Sequence, residues 1–193
     1  MKLGAIVKKQ SIYKNTVSVL GLIVILISIF SVWYFSEKAN SYAEPQEAVI
    51  AIENDLLLIP PYKLNDVALF FFIKDKNNLG ATYVQKGLLG WKTDILTWSA
   101  MDNNRNYDKF NGVQSHGEKL TFGLIKYKEE LIVKMDENNA QLLMLDVMLS
   151  PKVVEEYQLE DLCIWYFENV TVPKGKTIEL INNSGEMIDP ISL

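Results

Sequence analysis

Nineteen consecutive residues, Val17 to Phe35 (VSVLGLIVILISIFSVWYF), carry no charge. As a helix rising ~1.5 Å per residue, such a run spans about 28 Å, close to the ~30 Å hydrocarbon core of a bilayer. It ends in Trp33, Tyr34 and Phe35, and Trp and Tyr favour the membrane–water interface. The block therefore predicts one membrane-spanning helix. It divides the chain into a tail (1–16), a span (17–35), a polar tether (36–46) and an outer domain (47–193). The tail carries Lys2, Lys8, Lys9 and Lys14 and no acid. The positive-inside rule then places the N-terminus in the cytoplasm and the domain outside the cytoplasmic membrane. A signal peptide shares these features, but its apolar region is shorter, about 7–15 residues. The small-x-small triplet Ser41-Tyr42-Ala43 also lies well beyond the block. A retained anchor is favoured over cleavage to a secreted form.

All 24 acids lie after residue 35, against 15 of the 19 basic residues, so the outer part carries a net charge of −9. Nucleic-acid affinity comes largely from Lys and Arg neutralising phosphates, so a nucleic-acid partner is not expected. The sign suits a cationic peptide, a basic protein or a metal ion, and it also serves plain solubility. A domain this acidic is not expected to lie flat on anionic lipid. The single cysteine, Cys163, allows no internal disulfide. It lies in the apolar run Leu162-Cys163-Ile164-Trp165-Tyr166-Phe167 and reads as a small buried hydrophobe.

In the tether, Pro45 is placed to open a short helix over 47–55, and Pro60-Pro61 ends anything helical. From Val67 the pattern is β: an apolar strand 67–73, a turn at 75–80, a strand 81–86, the turn Gly87-Leu88-Leu89-Gly90 and a strand 91–98. A polar loop follows to Gly117. Further strands are expected at 120–127, 130–135, 140–149 and 159–170, with a turn at 173–176 leading to 177–181 and a last hairpin to 188. Short strands separated by Asn, Gly and Pro turns predict a mainly β domain, an antiparallel sandwich or curved sheet. The alternative is α+β, with the leading helix packed on the sheet.

Asp102, Asn104, Asn106 and Asp108 place oxygen side chains at alternate positions, as a calcium loop begins. The sixth position is Tyr107 where glycine is required, the twelfth is Val113 where a bidentate Glu is required, and Arg105 puts a cation among the ligands. This predicts an exposed Asn-rich loop with no metal. His116, the only histidine, reads as an exposed loop residue, with no local nucleophile elbow or zinc helix around it. No glycine-rich phosphate loop is present, so no cofactor is expected. A partner-binding surface, if the domain has one, is expected on the 99–117 loop: Asp102, Asn104, Arg105, Asn106, Asp108 and His116.

Lys86-Gly87-Leu88-Leu89-Gly90-Trp91-Lys92, then Phe122-Gly123-Leu124-Ile125, Ile164-Trp165-Tyr166-Phe167 and the closing 178–188 segment follow one another in an order with a parallel elsewhere. Over roughly 47–190 the chain resembles small, uncharacterised membrane-anchored or secreted proteins of Bacillus-like Gram-positive bacteria. The resemblance implies a cell type and a location, with no assigned activity and no catalytic residues. Taken together, these features predict a single-pass membrane protein whose acidic outer domain binds, senses or regulates without catalysis. The alternative is an envelope hydrolase or transferase using a carboxylate pair that no motif marks.

Overall fold

The computed structural model describes residues 3–128, 131–170 and 175–192. Lys2 of the tail, Glu130 at the start of one expected strand, and Pro173-Lys174 of one expected turn lie outside the described residues.

Helix α1 (Leu3–Ala39) is continuous through the apolar block. Its segment Val19–Ala39 has a mean hydropathy of 2.4, and none of it is buried within the protein. The stretch expected as a loose tether is held in place. Tyr42 exchanges two backbone hydrogen bonds with Trp91, at 3.0 and 2.8 Å. Helix α2 (Pro45–Ile50) then opens with proline in its first turn and a capping box. In that box the Glu44 side chain takes a backbone N–H of the first turn, and the Glu47 side chain accepts the Glu44 N–H at 3.2 Å. α2 is separate from α1 and shorter than the expected 47–55 helix.

Among the described residues the strands form three antiparallel sheets. The first contains β1 (Leu56–Leu64), β2 (Val67–Lys74), β3 (Asn78–Lys86), β4 (Trp91–Thr93) and β5 (Thr97–Ala100). Its order is β1-β2-β3, with β4 and β5 both pairing with β3. The second contains β6 (Gln114–His116), β7 (Leu120–Lys126), β10 (Gln141–Met144) and β11 (Leu162–Glu168), in the order β10-β11-β7-β6. The third contains β8 (Leu131–Met135), β9 (Asn138–Asn139), β12 (Thr177–Asn182) and β13 (Met187–Ser192), in the order β13-β12-β8-β9.

The stacking follows from strand alternation. In β11, Leu162, Ile164 and Tyr166 pack with Ile59, Leu69, Phe71 and Ile73 of the first sheet. Cys163, Trp165 and Phe167 face the other way, onto Val133, Met135, Ile178 and Leu180 of the third. The second sheet is thus the middle layer, and β7 and β11 are apolar along their length because both faces are covered. On the outer face of the first sheet, Ala68, Phe70, Val84 and Trp91 meet Ala48 and Val49 of α2. The domain is mainly β, as expected, with the short helix packed on a sheet.

Two local strand readings are corrected, and β1 is a strand that was not among those expected. Pro60-Pro61 lies inside β1 at a register shift between Ile59 and Tyr62. Proline is tolerated there because β1 is an edge strand and the bulge removes the need for its N–H. The strand expected at 91–98 is broken into β4 and β5. The strand expected at 140–149 stops at Met144 and gives way to α3 (Leu145–Met148), followed by α4 (Pro151–Tyr157).

Candidate functional site

The 99–117 loop is built as a rigid structure. The Asp102 carboxylate accepts the backbone N–H of Asn104 at 2.7 Å and of Asn106 at 3.4 Å, and the Asn111 side-chain amide at 2.9 Å. These donors, the Asn104 N–H first, hold its carboxyl below the usual range. Arg105 adopts φ 52°. Its Nη1 donates to Asn77 Oδ1 at 2.5 Å and to the Asp102 carbonyl at 2.8 Å. Its Nη2 donates to the carbonyls of Lys76 at 2.9 Å and Tyr157 at 3.3 Å. Arg105 therefore ties the loop to the β2–β3 turn and to the end of α4. Buried Tyr107 accepts the Asp102 N–H on its hydroxyl at 2.7 Å. Asn104, Asn106 and Asp108 remain exposed, Asp108 lying 3.3 Å from Lys128 and 3.7 Å from Lys126. Among the described residues no three His, Cys, Asp or Glu side chains gather as a metal site.

His116 is not the exposed loop histidine expected. It lies on β6, is buried, and places Nδ1 2.7 Å from Thr97 Oγ1, with its ring 5.7 Å from that of Tyr83. Pairing of β6 with β7 draws it under the first sheet, and burial lowers its pKa. The six residues expected together thus divide. Asp102, Asn104, Arg105, Asn106 and Asp108 share one loop, with Arg105 and Asp102 employed inside the fold, and His116 belongs elsewhere.

Near His116, Tyr83 donates its hydroxyl to Glu168 Oε1 at 3.3 Å. Burial, with Glu168 beside it, raises the Tyr83 pKa. The adjoining cleft, about 240 Å³, is lined by Val67, Leu69, Gln85, Lys119 and Asn169 as well. Among the described residues its one carboxylate is Glu168, whereas glycosidase-type chemistry works between two.

A surface that the residue patterns did not reveal lies at the end of α2 and along the β4–β5 connection. Ile52, Ile95 and Trp98 are 59%, 72% and 45% exposed and line one open groove of about 440 Å³ with Leu96, Thr93 and Asp94. Phe72 supports the Trp98 ring at 6.5 Å in an edge arrangement. Lys74 Nζ lies 4.5 Å from the Trp98 ring centre and 2.5 Å from Glu53 Oε2. The indole is therefore fixed in place while much of it meets solvent. Pairing of β5 with β3 places Trp98 at the rim of the first sheet.

No family model, curated protein or solved structure matches this chain.

Proposed function

We propose that the chain is a single-pass protein of the cytoplasmic membrane of a Bacillus-like cell. Its domain stands outside and binds, without catalysis, a cationic and partly apolar peptide segment of another protein. The observation that carries this reading is the groove of Ile52, Ile95 and Trp98. Three large apolar side chains are held open to solvent side by side, where scattered single ones are the norm. Asp94 lines the groove, and Glu53 and Asp55 lie at the Lys74 end. With the net −9 of the outer part, the field around the groove favours Lys and Arg on the partner. The ordered Asn104–Asp108 tip is the second surface of the module.

Retention of the anchor is supported by the residues around Ala43. Cleavage after Ala43 would remove Tyr42, which pairs with Trp91 and packs against the α2 cluster. It would also remove Glu37, which is 2.6 Å from Lys92. Folding of the domain therefore uses residues on both sides of that point.

The test is site-specific photo-crosslinking in native membranes, from position 95 and separately from position 106. The expected result is one reproducible adduct at 95, mapped by mass spectrometry to a basic, apolar peptide and lost on Trp98→Ala. An adduct at 106 alone moves the site to the loop. No adduct at either position removes the binding reading.

A further inference from the structure

Helix α1 runs straight into contact with the domain. Glu37, in its last turns, is ion-paired with Lys92 at 2.6 Å. Two residues beyond Asn40, Tyr42 exchanges its backbone hydrogen bonds with Trp91. Trp91 and Lys92 open β4, so the turn joining β3 to β4 is fastened to the end of the apolar helix from two sides. The fit is close. Gly90 sits at φ 144°, and a Cβ there would lie 2.5 Å from the Tyr42 carbonyl oxygen. The Gly87 N–H donates to the Gly90 carbonyl at 2.7 Å and closes the turn.

At its tip Leu88 is 86% exposed, more than any other large hydrophobic side chain among the described residues, and Leu89 beside it is half-buried. An isolated exposed Leu is ordinary. The position of this one is not, because Glu37 stands only one helical turn, about 6 Å, beyond Trp33 and the interfacial aromatic cluster. On α1, Ser31, Tyr34 and Glu37 are half-buried at three-residue spacing, whereas residues 19–30 are exposed throughout. Tyr34 lies against the rings of Phe30 and Phe35, and Glu37 against Lys92 of the domain. The segment 86–92 contains Lys86 and Lys92 and no acid, in a domain that is otherwise acidic.

We propose that this turn is a second membrane contact. Leu88 and Leu89 enter the lipid interface beside α1, and Lys86 lies at headgroup level, where cations are favoured, while Lys92 is held by Glu37. The bilayer that holds the helix is the occupant, because the ion pair and the backbone pairing fasten the turn to the helix one turn beyond its interfacial aromatics. The inference rests on reading α1 as a retained membrane span. The two contacts together set the tilt of the domain, and the acidic remainder stays off the surface.

The experiment uses the full chain in phosphatidylcholine–phosphatidylglycerol vesicles carrying nitroxide on the acyl chains. An environment-sensitive dye is attached through a single introduced cysteine at Val24, Leu88 or Ile95. Cys163 is buried and its thiol is pushed up to about 12, so labelling is selective. The expected result is strong quenching at 24, blue-shifted emission and quenching at 88 several-fold that at 95, and little at 95. With 24 quenched, a label at 88 indistinguishable from that at 95, whether both are quenched or neither, overturns tip insertion and leaves the anchor standing. An unquenched label at 24 overturns the anchor and this inference with it.

Discussion

Gly123 shows how one residue sets the packing of a layer. It pairs with Trp165 across the β7–β11 ladder, and a Cβ at 123 would lie 2.6 Å from the indole Cζ2. The indole thus lies where residue 123 has no side chain, between the second and third sheets. Gly80 does the same for Phe72. Gly123→Ala is expected to cost about 1–3 kcal/mol through overpacking. Gly87→Ala, with nothing nearer than 3.5 Å, should be close to neutral. Denaturant midpoints of the two variants test this, and equal midpoints would sink it. Arg105→Lys should also destabilise, because an ammonium cannot reproduce four donor contacts spread over Asn77, Asp102, Lys76 and Tyr157. A loss of about 1–3 kcal/mol in thermal unfolding is expected.

Two titratable residues carry opposite pH signatures. Burial raises the Cys163 thiol from 9.0 to about 12. Below 9.0 the thiol is neutral in both states. Between 9.0 and about 12 only the unfolded chain ionises, so stability falls as pH rises. The slope is about 1.4 kcal/mol per pH unit. It should appear as the difference between wild type and Cys163→Ala in unfolding followed against pH. His116 is shifted down, so the unfolded chain takes up its proton first, and stability falls as pH drops below 6.5. Cys163 was legible as buried because its sequence neighbours are all apolar. His116 was not, because its neighbours Gln114, Ser115 and Gly117 are polar and its cover comes from Thr97 and Tyr83.

Among the elements, legibility follows how local the determinants are. α2 was visible through Pro45, and Glu47 closes its capping box. Glu47→Ala should cost about 0.5–2 kcal/mol, read as a lower unfolding midpoint. The β2–β3 hairpin was visible through Asp75, Lys76 and Asn77, the first two now seen at φ 51° and 59°. The segment 140–157 was not. Leu142 to Leu149 is apolar in a manner that fits either period. Pro151 in the first turn of α4 and Gln158 at φ 54° in its C-cap mark a helix only once the strand is seen to end. β1 escaped because two prolines argue against a strand unless it lies at an edge, and edge position is a property of the sheet.

For the whole molecule, the main question is how the apolar helix is joined to the domain. Glu37 and Tyr42 tie the end of the helix to β4. A protease site inserted after Ala43 of the full-length protein should allow a cut that lowers the thermal midpoint of the domain. The scale is about 2–4 °C for each kcal/mol lost. An unchanged midpoint would show that residues before 44 contribute nothing to the fold, and cleavage would regain its standing. At this scale too, the exposed tip of the candidate loop, Asn104 to Asp108, and the Trp98 groove are separate surfaces, which crosslinking from 106 and 95 distinguishes.

By itself the sequence determined what runs of neighbouring residues decide: an uncharged helix long enough to cross a bilayer, turns such as that at 75–77, and the apolar strand at 67–73. It also determined that Cys163 would lie inside. Backbone sterics and apolar burial act over a few residues, so these features need no distant partner. Only the tertiary structure decided the stacking of three sheets, the proline-bearing edge strand, and the change from strand to helix at Leu145. It alone decided the internal use of Arg105 and His116, the opening of the Trp98 groove, and the seating of the Leu88 turn beside the helix. Each of these depends on residues far apart in the chain, brought together by strand pairing and by the burial that follows from it.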